Sequence, residues 1–130
     1  MHGITPLLYA CYNKHIDMVE LLLEHGANVN AAIYDGTTAL FCACCGDNID
    51  LVKLLLEHGA QVNAIDKYGS TPIFKACYWC YSNVELVKLL LEYGANVNVV
   101  NEDGETSLLY ACQSKDIDLV KLLLEHGTRE

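Results

Sequence analysis

One segment is written four times along this chain, and that repetition limits the fold more than any other feature. The clearest copy runs from Asn48 to Gly59, and residues 116–127 repeat it almost letter for letter. Two looser copies end at Gly26 and Gly94. Each copy reads as a helix with its own start and stop. His15, Asn48, Asn83 or Asp116 stands near the start, where Asn or Asp is a natural N-cap. Gly26, Gly59, Gly94 and Gly127 follow the end, where the backbone usually turns left-handed. In the second copy only Asp50, Lys53 and Glu57 are polar between the starting Asn48 and the closing His-Gly. A narrow stripe faces water and the remainder needs cover. Such a helix cannot stand alone, and its own copies are the obvious neighbours.

Two sets of glycines measure the period. Gly3, Gly36, Gly69 and Gly104 open the units at separations of 33, 33 and 35, and the closing glycines are separated by 33, 35 and 33. Both sets place a two-residue insertion in the third unit, within Tyr78-Trp79-Cys80-Tyr81-Ser82-Asn83. After each opening glycine comes a second helix start: Thr5-Pro6-Leu7-Leu8, Thr38-Ala39-Leu40-Phe41, Thr71-Pro72-Ile73-Phe74 and Thr106-Ser107-Leu108-Leu109. Threonine supplies a capping hydroxyl, and proline presets φ. Ala10-Cys11, Ala43-Cys44, Ala76-Cys77 and Ala111-Cys112 follow at a fixed offset, small enough for a neighbouring helix to approach closely. Each unit is therefore a turn, a short helix, a loop, a longer helix and an extended exit.

On these residues the chain resembles the ankyrin repeat along nearly its whole length. The match is the opening glycine, the Thr-Pro-Leu start, the small pair, the Val-x-Leu-Leu-Leu helix and the exits Gly26-Ala27-Asn28-Val29-Asn30, Gly59-Ala60-Gln61-Val62-Asn63 and Gly94-Ala95-Asn96-Val97-Asn98. The resemblance implies an all-α solenoid of stacked helix-turn-helix units with projecting β-turns. It would be a single domain over 1–130, with repeats at about 1–33, 34–66, 67–101 and 102–130. Two departures stand out. Leu8, Phe41, Phe74 and Leu109 occupy the family's histidine position, so apolar packing is expected in place of a polar bond. The second turn begins Ile33-Tyr34 where the family favours aspartate. The first unit carries Ile16, Met18, Val19, Leu21, Leu22 and Leu23 and the last unit the equally apolar helix from Leu119 to Leu124, neither with a polar capping repeat beside it. Arrays normally close with polar outer faces. Either a longer array or another chain is expected to cover these ends, the longer array being favoured, and the isolated chain is expected to self-associate through them.

Composition narrows the function classes. A 130-residue chain that is 52% apolar can bury a core. The net charge of −9 would repel nucleic acid and anionic membranes, so neither is an expected partner. No apolar run reaches the ~20 residues of a membrane span. Seven cysteines without a disulfide framework or signal segment fit a reducing compartment, the cytoplasm with the nucleus as the alternative. Cys11, Cys44, Cys77 and Cys112 form one column, expected as buried apolar spacers. Cys42, Cys45 and Cys80 are extra, and a zinc or redox site on them is a rival reading carried by little more than the Cys77–Cys80 spacing. His25, His58 and His126 share a helix C-terminus, which favours polar or cationic groups. No nucleophile–base–acid set, phosphate loop or paired-carboxylate motif recurs, so no catalysis and no cofactor is expected.

What remains is a binding surface. The resemblance implies that partners meet the turn tips and the exposed edge of each first helix, a concave face. Carried over position by position, this selects Tyr9, Tyr12, Asn13, Tyr34, Asp35, Lys67, Tyr68, Lys75, Tyr78, Trp79, Glu102, Asp103, Tyr110 and Gln113. Tyr and Trp give large contact area at low entropic cost. The insertion places Tyr78 and Trp79 as the expected anchor for a protein partner with a basic rim. A structural segment of a larger regulatory protein is the alternative. The resemblance also marks Asn30, Asn63 and Asn98 as candidates for oxygenase hydroxylation.

Overall fold

The computed structural model describes residues 4–46, 48–79 and 84–127, the Trp79 side chain excepted. Among the described residues eight helices follow one another: α1 (Pro6–Tyr12), α2 (Ile16–Glu24), α3 (Ala39–Cys44), α4 (Ile49–Glu57), α5 (Pro72–Trp79), α6 (Val84–Glu92), α7 (Ser107–Ser114) and α8 (Ile117–Glu125). Among the described residues there is no strand. Neighbours in sequence pair, α1 with α2 through α7 with α8. The pairs stack α1 on α3 on α5 on α7, with α4, α6 and α8 stacked behind. The chain is the all-α solenoid that its periodicity implies.

The helix starts divide by chemistry. The Thr5 and Thr106 hydroxyls accept the Leu8 and Leu109 N–H groups, both at 3.2 Å, and Asn48 and Asp116 cap Leu51 and Leu119 at 3.1 and 3.2 Å. Thr38 makes no such side-chain bond, and neither does His15. Asn83 lies outside the described residues, as do Gly3 and Cys80–Ser82 of the insertion. At the far ends of α2, α4 and α8, His25, His58 and His126 donate from Nδ1 to the carbonyls of Leu21, Leu54 and Leu122 at 2.9, 3.0 and 2.9 Å. These carbonyls lie in the last turn, where those of Leu21 and Leu54 also accept the backbone N–H of His25 and His58, both at 3.2 Å. The three histidines are helix stops.

The inner second helices, α4 and α6, are covered almost all round. Leu51, Val52, Leu55, Leu86, Val87 and Leu90 are fully buried, while Asp50, Lys53 and Glu57 form the exposed stripe. The histidine position of the first helices is filled by apolar packing at Leu8, Phe41 and Phe74, all buried. Two expectations fail in the last repeat. Cys112 is exposed, although Cys11, Cys44 and Cys77 are buried spacers. Leu109 is likewise exposed. Both sit on the side of α7 that in earlier repeats is covered by the following first helix.

Polar groups tie one repeat to the next. Asn30 Oδ1 accepts the Gln61 N–H at 2.8 Å while its Nδ2 donates to the Gly59 carbonyl at 3.1 Å. Asn63 repeats the clamp on Asn96 and Gly94 at 2.8 and 3.0 Å. Asn98 donates to the Gly127 carbonyl at 3.2 Å. At the opposite edge, Lys67 N–H donates to the Asp35 carbonyl at 2.8 Å, and Glu102 N–H to that of Tyr68 at 2.9 Å. Glycine is needed there. Gly36 has φ +90°, and a Cβ on it would lie 2.8 Å from the Asp66 Cα, inside contact distance.

Leu55 is fully buried and Leu54 only partly so. Leu55→Ala is therefore expected to cost ~2–5 kcal/mol in urea unfolding, as large-to-small core changes do, with Leu54→Ala costing less. Equal costs, or a Leu55 change within ~0.5 kcal/mol of neutral, would contradict this burial.

Candidate functional site

Turns and first helices share one edge of the stack, and the turns owe their shape to an acceptor placed three residues before each glycine. Asp66 Oδ1 takes the Tyr68 and Ser70 N–H groups at 2.9 and 3.0 Å, and Asn101 Oδ1 takes those of Asp103 and Glu105 at 3.0 and 2.9 Å. In the earlier turn this position is Ile33, which has no acceptor. Asp35 serves instead, accepting the Thr37 N–H at 2.9 Å. The backbone bond that closes the turn survives there, Ile33 N–H to the Thr37 carbonyl at 3.0 Å, matching Asp66 to Ser70 and Asn101 to Glu105. Burial alone would raise the Asp35 carboxyl pKa, but bonds from Thr37 and the Lys67 ammonium outweigh it and hold the pKa below the usual range.

The tips present aromatic rings. Lys67 Nζ stands 5.6 Å from the Tyr34 ring centre and 5.1 Å from that of Tyr68, within cation–π range of both. Tyr9, Tyr12, Tyr34, Tyr68 and Tyr78 are exposed. Asn13, Lys67, Glu102, Asp103 and Gln113 are also exposed, while Asp35, Lys75 and Tyr110 are half-buried. The backbone of Trp79 closes α5, and its side chain lies outside the described residues.

Between the third and fourth units Lys75, Tyr78, Asp103 and Tyr110 converge on a notch of about 340 Å³, lined also by Ser70, Phe74 and Glu105. Tyr110 meets Phe74 and Tyr78 edge to face, at centroid distances of 5.7 and 5.2 Å. Its hydroxyl donates to Glu105 Oε1 at 2.8 Å, and Asn101 Nδ2 donates to the same oxygen at 3.1 Å. Burial, with the Glu105 carboxylate beside it, pushes the Tyr110 phenol up to about 12, so it remains a donor at neutral pH. Lys75 Nζ lies 3.8 Å from Asp66 Oδ2. The notch thus has an aromatic wall, a carboxylate rim and one cation already engaged. Tyr9, Tyr12, Asn13, Tyr34, Asp35, Lys67, Tyr68, Glu102 and Gln113 do not join it.

Sequence reasoning did not single out Asp66, Asn101 or Phe74 for this edge, though the resemblance does place Glu105 at a turn tip. The Asp/Asn-x-x-Gly spacing of Asp66–Gly69 and Asn101–Gly104 is the signal that would have found the turn acceptors. It also missed the clamping role of Asn30, Asn63 and Asn98, whose amides are committed to the next repeat.

Cys11 of the column and the extra cysteines Cys42 and Cys45 have a different character. Burial pushes the Cys11 thiol up to about 12, and burial with nearby Cys45 and Asp35 pushes Cys42 to about 11. Cys45 is also raised by burial, against the pull of Lys75, and its Sγ donates to the Phe41 carbonyl at 3.2 Å. These are protonated thiols, poor nucleophiles and poor ligands. Among the described residues no three His, Cys, Asp or Glu side chains converge as a metal set. Cys80 lies outside them.

A family model described as "Ankyrin repeats (3 copies)" matches residues 2–66 and 61–129. The B-cell lymphoma 3 protein homolog of Mus musculus is 54% identical over 35 residues, which is 27% of this chain and 8% of that relative's length. No described helix is long and apolar enough to cross a membrane.

Under native conditions at pH 7.5, iodoacetamide is expected to label exposed Cys112 before buried Cys11, Cys44 and Cys77, read by peptide mass spectrometry. Faster labelling of the buried three would contradict their burial and, for Cys11, its raised pKa.

Proposed function

Because the chain belongs to the ankyrin-repeat family, we propose that it is a non-enzymatic binding module, a scaffold or adaptor holding a protein partner on its concave edge. The observation that carries this reading is the exposed aromatic edge itself: Tyr34 and Tyr68 flanking Lys67, and Tyr78 above the acidic notch. Rings held open to water at turn tips cost apolar exposure, and interface hot spots are enriched in such residues. The contact surface in this reading comprises Tyr9, Tyr12, Asn13, Tyr34, Asp35, Lys67, Tyr68, Lys75, Tyr78, Trp79, Glu102, Asp103, Tyr110 and Gln113.

The partner's chemistry follows from charge. Asp103 and Glu105 rim the notch, Glu102 and Asp35 stand at the tips, and the chain carries −9 overall. A protein with a basic rim around an apolar centre is the complementary surface, and nucleic acid is disfavoured by the same field. Seven cysteines spaced without a disulfide framework support a reducing compartment, the cytoplasm with the nucleus as the alternative.

The test uses a partner recovered on the immobilised chain and identified by mass spectrometry. Tyr78→Ala and Trp79→Ala are each expected to weaken binding by ~2 kcal/mol or more, the hot-spot range, with the melting temperature kept. Added salt should slow association. Unchanged affinity with a lowered melting temperature would return both residues to a packing role.

A further inference from the structure

The notch between the third and fourth units carries charge that the fold leaves uncompensated. Its one cation, Lys75, is taken up by Asp66, whose side chain is only 4% exposed and lies 3.8 Å from the ammonium. Asp103 and Glu105 have no such partner: neither forms an ion pair with a described residue. The Tyr110 hydroxyl and the Asn101 amide both bond Glu105 Oε1, which fixes where that carboxylate stands. On the same notch the Tyr78 ring is 60% exposed and is braced edge to face by Tyr110. The period supplies a control. One junction earlier, Cys45 corresponds to Tyr78, Tyr68 to Asp103, Ser70 to Glu105 and Lys75 to Tyr110. Those positions bring a cation and no carboxylate, so the combination is not a general product of stacking.

We propose that this notch takes one arginine side chain of a protein partner, its guanidinium held by the Tyr78 ring and the carboxylates of Asp103 and Glu105. The proposal rests on the binding-module reading and names the group that the module grips. Charge complementarity selects a cation, because a neutral occupant would strip water from both carboxylates and return nothing. Shape selects arginine over lysine. A guanidinium is planar, so its face stacks on an aromatic ring while its edge donates in a fork to a carboxylate. An ammonium is compact and more strongly hydrated, so it loses more on entering. A notch of about 340 Å³ is at the small end of ligand sites, with room for one side chain rather than a helix.

Amide NMR of the isotope-labelled full chain tests this with the capped peptide Gly-Gly-Arg-Gly-Gly and with versions carrying lysine or citrulline in place of arginine. The arginine peptide should give saturable shifts at Tyr78, Asp103 and Glu105. The lysine peptide should bind several-fold more weakly. Citrulline keeps the shape without the charge and should give no saturable shift. Asp103→Ser/Glu105→Gln should weaken the arginine peptide about tenfold. Gln keeps an acceptor for Tyr110 and Asn101, and Asp103 is exposed, so circular dichroism should show the variant folded. Absence of saturation up to ~50 mM arginine peptide overturns the proposal. So does equal binding of the citrulline or lysine peptide, or unchanged affinity in the double variant. If the arginine peptide fails while Tyr78→Ala still weakens a recovered protein partner, the notch assignment falls and the binding-module reading stands.

Discussion

Everything in this structure depends on a second helix too apolar to exist without neighbours. In α4 the residues Leu51, Val52, Leu55 and Leu56 are buried together, leaving Asp50, Lys53 and Glu57 as the wet stripe. A helix of nine residues has little stability of its own in water. Its burial must come from its own short partner and from the units before and after it. The fold is therefore a chain of nearest-neighbour contacts, and its energy resides in the junctions rather than in the units.

Polar chemistry sets the spacing of those junctions. The amides of Asn30 and Asn63 each bond an N–H and a carbonyl of the next exit, and the Asp35 and Tyr68 carbonyls receive bonds from the next turn. Such bonds are worth ~0.5–1.5 kcal/mol each, far less than the apolar burial, but they are directional. They hold successive turn tips side by side, which is how Lys67 comes to sit between Tyr34 and Tyr68. The proposed binding edge is thus a by-product of the same contacts that hold the stack together.

The glycine and leucine spacings made the helices, the period and the buried stripe legible in advance, because these depend on residues within one unit. What escaped sequence reasoning depends on neighbours. Cys112 has the sequence environment of Cys11, yet it is exposed, because the cover comes from a following repeat. Leu109 differs from Leu8 for the same reason. The candidate edge was legible as a set of tyrosines, and five of them are exposed there. Its notch was not, since Glu105, Tyr110 and Asn101 meet only after the turn folds around the Asn101 side chain. The Thr38 start looked like a cap by composition but forms no side-chain bond.

If the junctions hold the stability, protection should follow the number of neighbours. Native-state hydrogen exchange resolved by peptide mass spectrometry measures this directly. The central helices α3, α4, α5 and α6, covered on both sides, should exchange slowest, with α1, α2, α7 and α8 opening first. Protection that is uniform along the stack, or greatest in an end repeat, would contradict the account.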